Sequence, residues 1–157
     1  MADTPSVLIV DDEEMVITAI KTLVQVETDY EVRCFTRPEE ALRCLEHTNV
    51  EIMLADYLMP GMDGIQFLLR ARQLQPEVSR VLVTGHADQQ SAVRAINEVG
   101  LFHYVEKPWD NTHFLLVIQN GIERTQLLRH LRQKVSELDM AHAQIKDAQR
   151  RLLQAFL

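Results

Sequence analysis

Short apolar runs and longer amphipathic segments take turns along the chain. Ser6–Val10 (SVLIV), Tyr30–Phe35 (YEVRCF), Val50–Ala55 (VEIMLA), Arg80–Thr84 (RVLVT) and Phe102–Val105 (FHYV) are the short runs. Several are continuously apolar rather than alternating, as strands covered on both faces are. The segments between them carry apolar residues at helical spacing. Val16, Ile20, Leu23 and Val24 form one stripe, and Ala41, Leu42 and Leu45 form a second behind Pro38, which suits a helix's first turn. Ile65, Leu68, Leu69 and Ala71 form a third, with Asp63 as candidate N-cap. Ala92, Val93, Ile96 and Val99 form a fourth that stops at Gly100, and a fifth helix opens at Asp110. Five strand–helix alternations predict an α/β fold: a doubly wound parallel sheet with helices on both faces.

Beyond Gly121 the pattern changes. The tail has no Pro and no further Gly, and reads as one long helix. With Leu128 as an a position, the d positions are Leu131, Leu138, Ile145 and Leu152. The a positions are Leu128, Val135, His142, Gln149 and Phe156, two of them polar. Four heptads predict a coiled coil, and polar a residues fix register at some cost in stability. At ~1.5 Å per residue the segment would be roughly 43 Å long, too long to bury its stripe on a small domain. The expected division is a domain over 1–125 and a coiled-coil extension over 126–157, paired in a homodimer.

Charge narrows the function. The net charge is −7; residues 1–120 carry 19 acids and 9 bases, and 121–157 carry 4 acids and 7 bases. An acidic body argues against direct nucleic-acid binding. No apolar run reaches the ~18–20 residues of a membrane span, and MADTPSVLIVDDEE has no basic n-region. Two cysteines, Cys34 and Cys44, fit a reduced cytoplasmic protein without a structural disulfide.

Functional sites in doubly wound sheets lie outside the carboxyl ends of the strands. Asp11 and Asp12 follow the first run, Asp56 the third, Thr84 ends the fourth and Lys107 follows the fifth. Singly these are bland: an N-cap pair, a strand threonine, a loop lysine. Together they fall on one sheet edge. Converging carboxylates repel, and Mg²⁺, which takes oxygen ligands and keeps waters, resolves the repulsion. Asp12 and Asp56 are the ligand candidates, with Asp11 direct or through water. Lys107 and Thr84 beside them suit a phosphoryl group, with Asp56 as nucleophile forming an aspartyl phosphate.

These residues resemble the receiver domain of two-component response regulators over about residues 5–125. The matching motifs are VLIVDDE, LADYLMPGMDG, VLVTGHA and YVEKPWD. The resemblance implies a flavodoxin-like five-stranded sheet in 2-1-3-4-5 order with five helices. It implies Mg²⁺-dependent phosphoryl transfer to Asp56 from a histidine kinase or phosphotransfer protein. The implied Mg²⁺ ligands are Asp12, Asp56 and the Leu58 backbone carbonyl, with Asp11 through water. Thr84 and Tyr104 are the implied switch pair, the Lys107–Pro108 bond is implied to be cis, and Leu58 and His86 are implied to tune the phosphoryl lifetime. The chain itself is then not an enzyme but a phosphoacceptor with slow autodephosphorylation.

The tail favours a fragment of a longer protein over a complete chain. It is similar to regulators fused to cyclic-dinucleotide phosphodiesterase (HD-type), diguanylate cyclase or other catalytic outputs, and a DNA-binding output is less suggested. Two other classes compete. A phosphorylation-independent scaffold predicts a defective acid pocket. A haloacid-dehalogenase-like phosphohydrolase needs an acid two residues after its nucleophile, where Leu58 stands here.

Overall fold

The computed structural model describes residues 3–85 and 89–156, with only the backbone of 89, 91, 92, 94 and 95. It falls into two compact units, Met1–Thr125 and Gln126–Leu157. In chain order the elements are β1 (Ser6–Val10), α1 (Glu14–Glu27), β2 (Glu31–Phe35), α2 (Pro38–His47), β3 (Ile52–Asp56), α3 (Gly64–Leu74), β4 (Ser79–Thr84), α4 (Gln89–Val99), β5 (His103–Glu106) and α5 (Asn111–Ala155). The strands form one sheet in the order β2-β1-β3-β4-β5, and every pairing is parallel. The predicted fold and strand order are those observed.

The continuous apolar runs have a direct cause. Successive strand residues point to opposite faces, and both faces are covered. Leu8, Val10, Met53, Ala55 and Leu82 pack with Ala41 and Leu45 of α2, Phe67, Leu68 and Ala71 of α3 and Val99 of α4. Val7, Ile9, Ile52, Leu54, Val81 and Val83 pack with Ile17, Ile20 and Val24 of α1 and with Phe114, Ile118 and Ile122 of α5. The odd and even positions of β1 therefore serve two separate cores.

Some local expectations shift. β3 starts and ends later than Val50–Ala55: Asp56 is its last residue, held in the ladder opposite Val83. The inward face of α3 is Gly64, Phe67, Leu68 and Ala71, with Leu69 exposed, so the stripe sits partly one position off. The fourth stripe marks α4 correctly but is not a buried face: Val99 is buried, but Val93 and Ile96 are exposed, and the Ala92 side chain is not described. Asp63 does cap α3, in a capping box: its carboxylate accepts from the Gln66 backbone N–H at 2.8 Å, and the Gln66 side chain accepts from the Asp63 N–H at 3.1 Å. Gly100, at φ 67°, ends α4 in the left-handed conformation that glycine adopts without penalty. Cys34 and Cys44 are both free thiols.

The amino end of β4 carries a polar network that fixes the first unit's last turn of α5. The Thr125 hydroxyl accepts from the Ser79 N–H at 2.9 Å and also bonds the Glu51 carbonyl, while the Ser79 hydroxyl donates to the Gly121 carbonyl at 2.7 Å. Arg80, also buried, donates to the carbonyls of Pro76, Val78, Val99 and Gly100 at 3.0–3.2 Å. It ties the end of α4 to the sheet. Burial, with Arg72 and Arg124 nearby, pulls its guanidinium down to about 10.

Candidate functional site

The parallel register brings the chemistry to one edge. Val10 lies opposite Ala55, Asp56 opposite Val83, and Thr84 opposite Glu106. The residues that follow β1 and β5 therefore meet the ends of β3 and β4. Asp11 and Asp56 are buried, while Asp12 is exposed. Each of the three offers a carboxylate oxygen, and these oxygens lie within 4.8 Å of one another. The Lys107 ammonium reaches Asp56 Oδ1 at 3.1 Å and Asp11 Oδ2 at 3.3 Å. Asp11 Oδ1 also accepts from the Glu13 backbone N–H at 2.8 Å.

One cation does not offset this much acid. Burial, then the Asp11 charge, pushes the Asp56 carboxyl up to about 6 despite Lys107. Burial also raises Asp11, against its backbone hydrogen bond and Lys107. The ammonium of Lys107 is raised even though burial opposes its charge, because Asp11 and Asp56 outweigh that cost. Thr84 is fully buried, and its hydroxyl finds no hydrogen-bond partner among the described residues. A buried polar atom left so is uncommon and points to a missing acceptor or donor. Two lacks therefore coincide, a shortage of positive charge and an unused hydroxyl at the ends of neighbouring strands.

The backbone beyond Asp56 is fixed closely. The Tyr57 N–H donates to the Val83 carbonyl at 3.0 Å, and the Gly64 N–H to the Tyr57 carbonyl at 2.9 Å. A Cβ at Gly64 would collide with the Asp56 carbonyl oxygen, so only glycine admits the loop's return. Gly61 takes φ 82° within the same loop.

The sequence profile of the response regulator receiver domain matches residues 7–119. The chain belongs to this family. Similar proteins include the hydrogenase transcriptional regulatory protein HoxA of Cupriavidus necator, 30% identical over 118 residues, which are 75% of this chain and 24% of HoxA. The regulatory protein AtoC of Escherichia coli is 32% identical over 133 residues, 83% of this chain and 28% of AtoC. The chain thus spans about a quarter of the length of these curated relatives. Among solved structures, the signal receiver domain of an HD domain-containing protein from Pseudomonas fluorescens Pf-5 is 29% identical with a TM-score of 0.74, covering 79% of this chain and 98% of that one. Receivers of both a transcriptional regulator and an HD-domain protein are therefore similar to this one.

The receiver's remaining candidate residues are placed as follows. Leu58 is exposed beside Asp56. Tyr104, in β5, is half-buried against the core and stacks on His103 with ring centroids 6.0 Å apart. The Lys107–Pro108 peptide bond is cis. His86 lies outside the described residues. Leu128 is half-buried, while Leu131, Val135, Leu138, Ile145 and Leu152 are exposed on α5, away from the acid edge in sequence. Sequence reasoning missed Arg80, Ser79 and Thr125. Their residue types are unremarkable in a strand and a helix, and only the fold brings them to the buried carbonyls they satisfy.

Proposed function

We propose that this receiver takes a phosphoryl group onto Asp56 from the phosphohistidine of a histidine kinase or phosphotransfer protein. The observation that carries the reading is the Asp56–Lys107 pair at 3.1 Å, with Thr84, whose hydroxyl has no partner among the described residues, ending the neighbouring strand. A carboxylate oxygen of Asp56 attacks phosphorus, the phosphorus–nitrogen bond breaks, and the donor ring, already protonated on its other nitrogen, leaves as a neutral imidazole that keeps that proton. At about 6, the Asp56 carboxyl is mostly ionised at pH 7, so the nucleophile needs no general base. Lys107 neutralises one non-bridging oxygen, and the Thr84 hydroxyl donates to another.

Mg²⁺ fits the acid cluster: it takes carboxylate, carbonyl and water oxygens and would supply the missing positive charge. Asp12, Asp56 and the Leu58 carbonyl would hold it, with Asp11 contributing through water. In this reading Thr84 and Tyr104 form the switch, residues 1–125 are the receiver, and 126–157 form a coiled-coil extension that pairs two copies. Phosphorylation alters that pairing, and with it an output carried outside this chain. The protein acts in the cytoplasm as a phosphoacceptor rather than as a turnover enzyme.

A small phosphodonor with Mg²⁺ tests this. Stoichiometric modification that needs Asp56 supports it. Steady turnover of small phosphoesters would favour a hydrolase, and no modification would favour a scaffold.

A further inference from the structure

The second unit is a helix with a bare apolar seam. Leu131, Val135, Leu138, Ile145 and Leu152 are exposed by 48–68%. His142 and Gln149 interrupt the seam, and both occupy a positions. Their placement discriminates between the two ways a second copy can lie on the seam. In a parallel, in-register pair each a residue meets its own counterpart across the seam. His142 then faces His142 and Gln149 faces Gln149, so polar groups meet polar groups. In an antiparallel pair with full overlap, a residues face d residues. His142 is then set against Leu138 and Gln149 against Leu131, with polar groups in an apolar seam.

The flanks agree. Lys134 is a g position and Asp139 the following e position. Parallel register sets Lys134 of one helix beside Asp139 of the other, the g–e arrangement that selects orientation. The antiparallel alternative sets e against e: Arg132 beside Lys146, and Asp139 beside Asp139. Lys134 already reaches Glu137 on its own helix at 3.4 Å. That pair is exposed and contributes little, so exchange across the seam costs little.

We infer that residues 126–157 bind a second copy of this chain in parallel and in register, with the His142 pair as a layer that loosens on acidification. Around that layer stand Asp139 and Lys146 of the same helix. Across the seam are the other copy's His142, Ala141, Leu138 and Ile145, none of them acidic. Asp139 of each helix is drawn towards Lys134 of the other. Protonating both imidazoles therefore sets two cations against each other in one layer.

The inference rests on the proposal that the tails pair at all, and the test separates the two. Leu131→Cys and Gln149→Cys, which face each other only in the antiparallel arrangement, are made singly in a chain carrying Cys34→Ser and Cys44→Ser, with folding checked by circular dichroism. Sedimentation under reducing conditions reads pairing, and oxidation reads orientation. In a parallel pair each variant crosslinks to itself. Dimers that crosslink only when the two variants are mixed are antiparallel and overturn the inference while leaving pairing intact. Monomers throughout, in the unmodified chain as well, overturn both. In the unmodified chain association weakens roughly tenfold between about pH 8 and about pH 5.5, from two charges about 6 Å apart. His142→Ile abolishes that dependence, and a dependence that survives the substitution overturns the histidine layer.

Discussion

Asp56 is held in a state that favours the uncharged acid. Its carboxyl rises to about 6, so the native protein binds this proton more tightly than the unfolded chain does. The stabilisation is complete below about pH 4 and is lost as pH rises through about 6. Asp56→Asn should therefore stabilise the metal-free protein at pH 7–8 by about 1–3 kcal/mol, with Lys107 still paired to Asp11. Thermal unfolding should show that gain shrinking towards pH 5. Added Mg²⁺ should reverse the order by stabilising the wild type more; equal shifts in both proteins would argue against metal binding at Asp56. Thr84 makes the complementary case. Thr84→Val removes a hydroxyl with no partner among the described residues, so stability should stay within about 1 kcal/mol of wild type. Phosphorylation by a small donor should slow about tenfold, for one lost hydrogen bond in the transition state. A large destabilisation would show that the hydroxyl is already satisfied. The candidate residues at this edge were legible in the sequence because the acids, the threonine and the lysine fall together at the ends of the apolar runs, although each alone has an ordinary structural duty. The elevation of Asp56 was not, because it depends on burial.

At the scale of elements, the loop between β3 and α3 ties structure to site. Asp63→Ala removes one half of the capping box and should cost about 1 kcal/mol. Gly64→Ala should cost more, about 2–4 kcal/mol, because its Cβ meets backbone rather than a flexible side chain. Denaturant unfolding separates the two. If Gly64→Ala matches the wild type, the close return of the loop is not required. The order of elements was legible from continuous apolar runs, which report burial on both faces. Helix faces were less so. In α3 the sequence offers Ile65, Phe67, Leu68 and Leu69 within five positions, and spacing alone does not choose among them. The choice is made by Gly64, whose contact with the Asp56 backbone turns Phe67 inward. Val93 and Ile96 show the converse: a sound apolar period on α4 that the described structure leaves exposed.

For the whole molecule, the prediction concerns association. Sedimentation of the full chain should give a dimer at micromolar concentration, and a 1–125 truncation a monomer. Two monomeric species would refute pairing through the tail. Where the truncation falls matters for a reason found far from the acid edge. Thr125 is the last residue of the first unit, and its hydroxyl serves the Ser79 N–H and the Glu51 carbonyl, both at the amino ends of strands. A chain cut one residue earlier would leave those groups to water. Under limited proteolysis of chain diluted until its tails separate, the tail should accordingly be trimmed back to about this residue and no further. The resistant fragment's mass would then mark where the receiver ends.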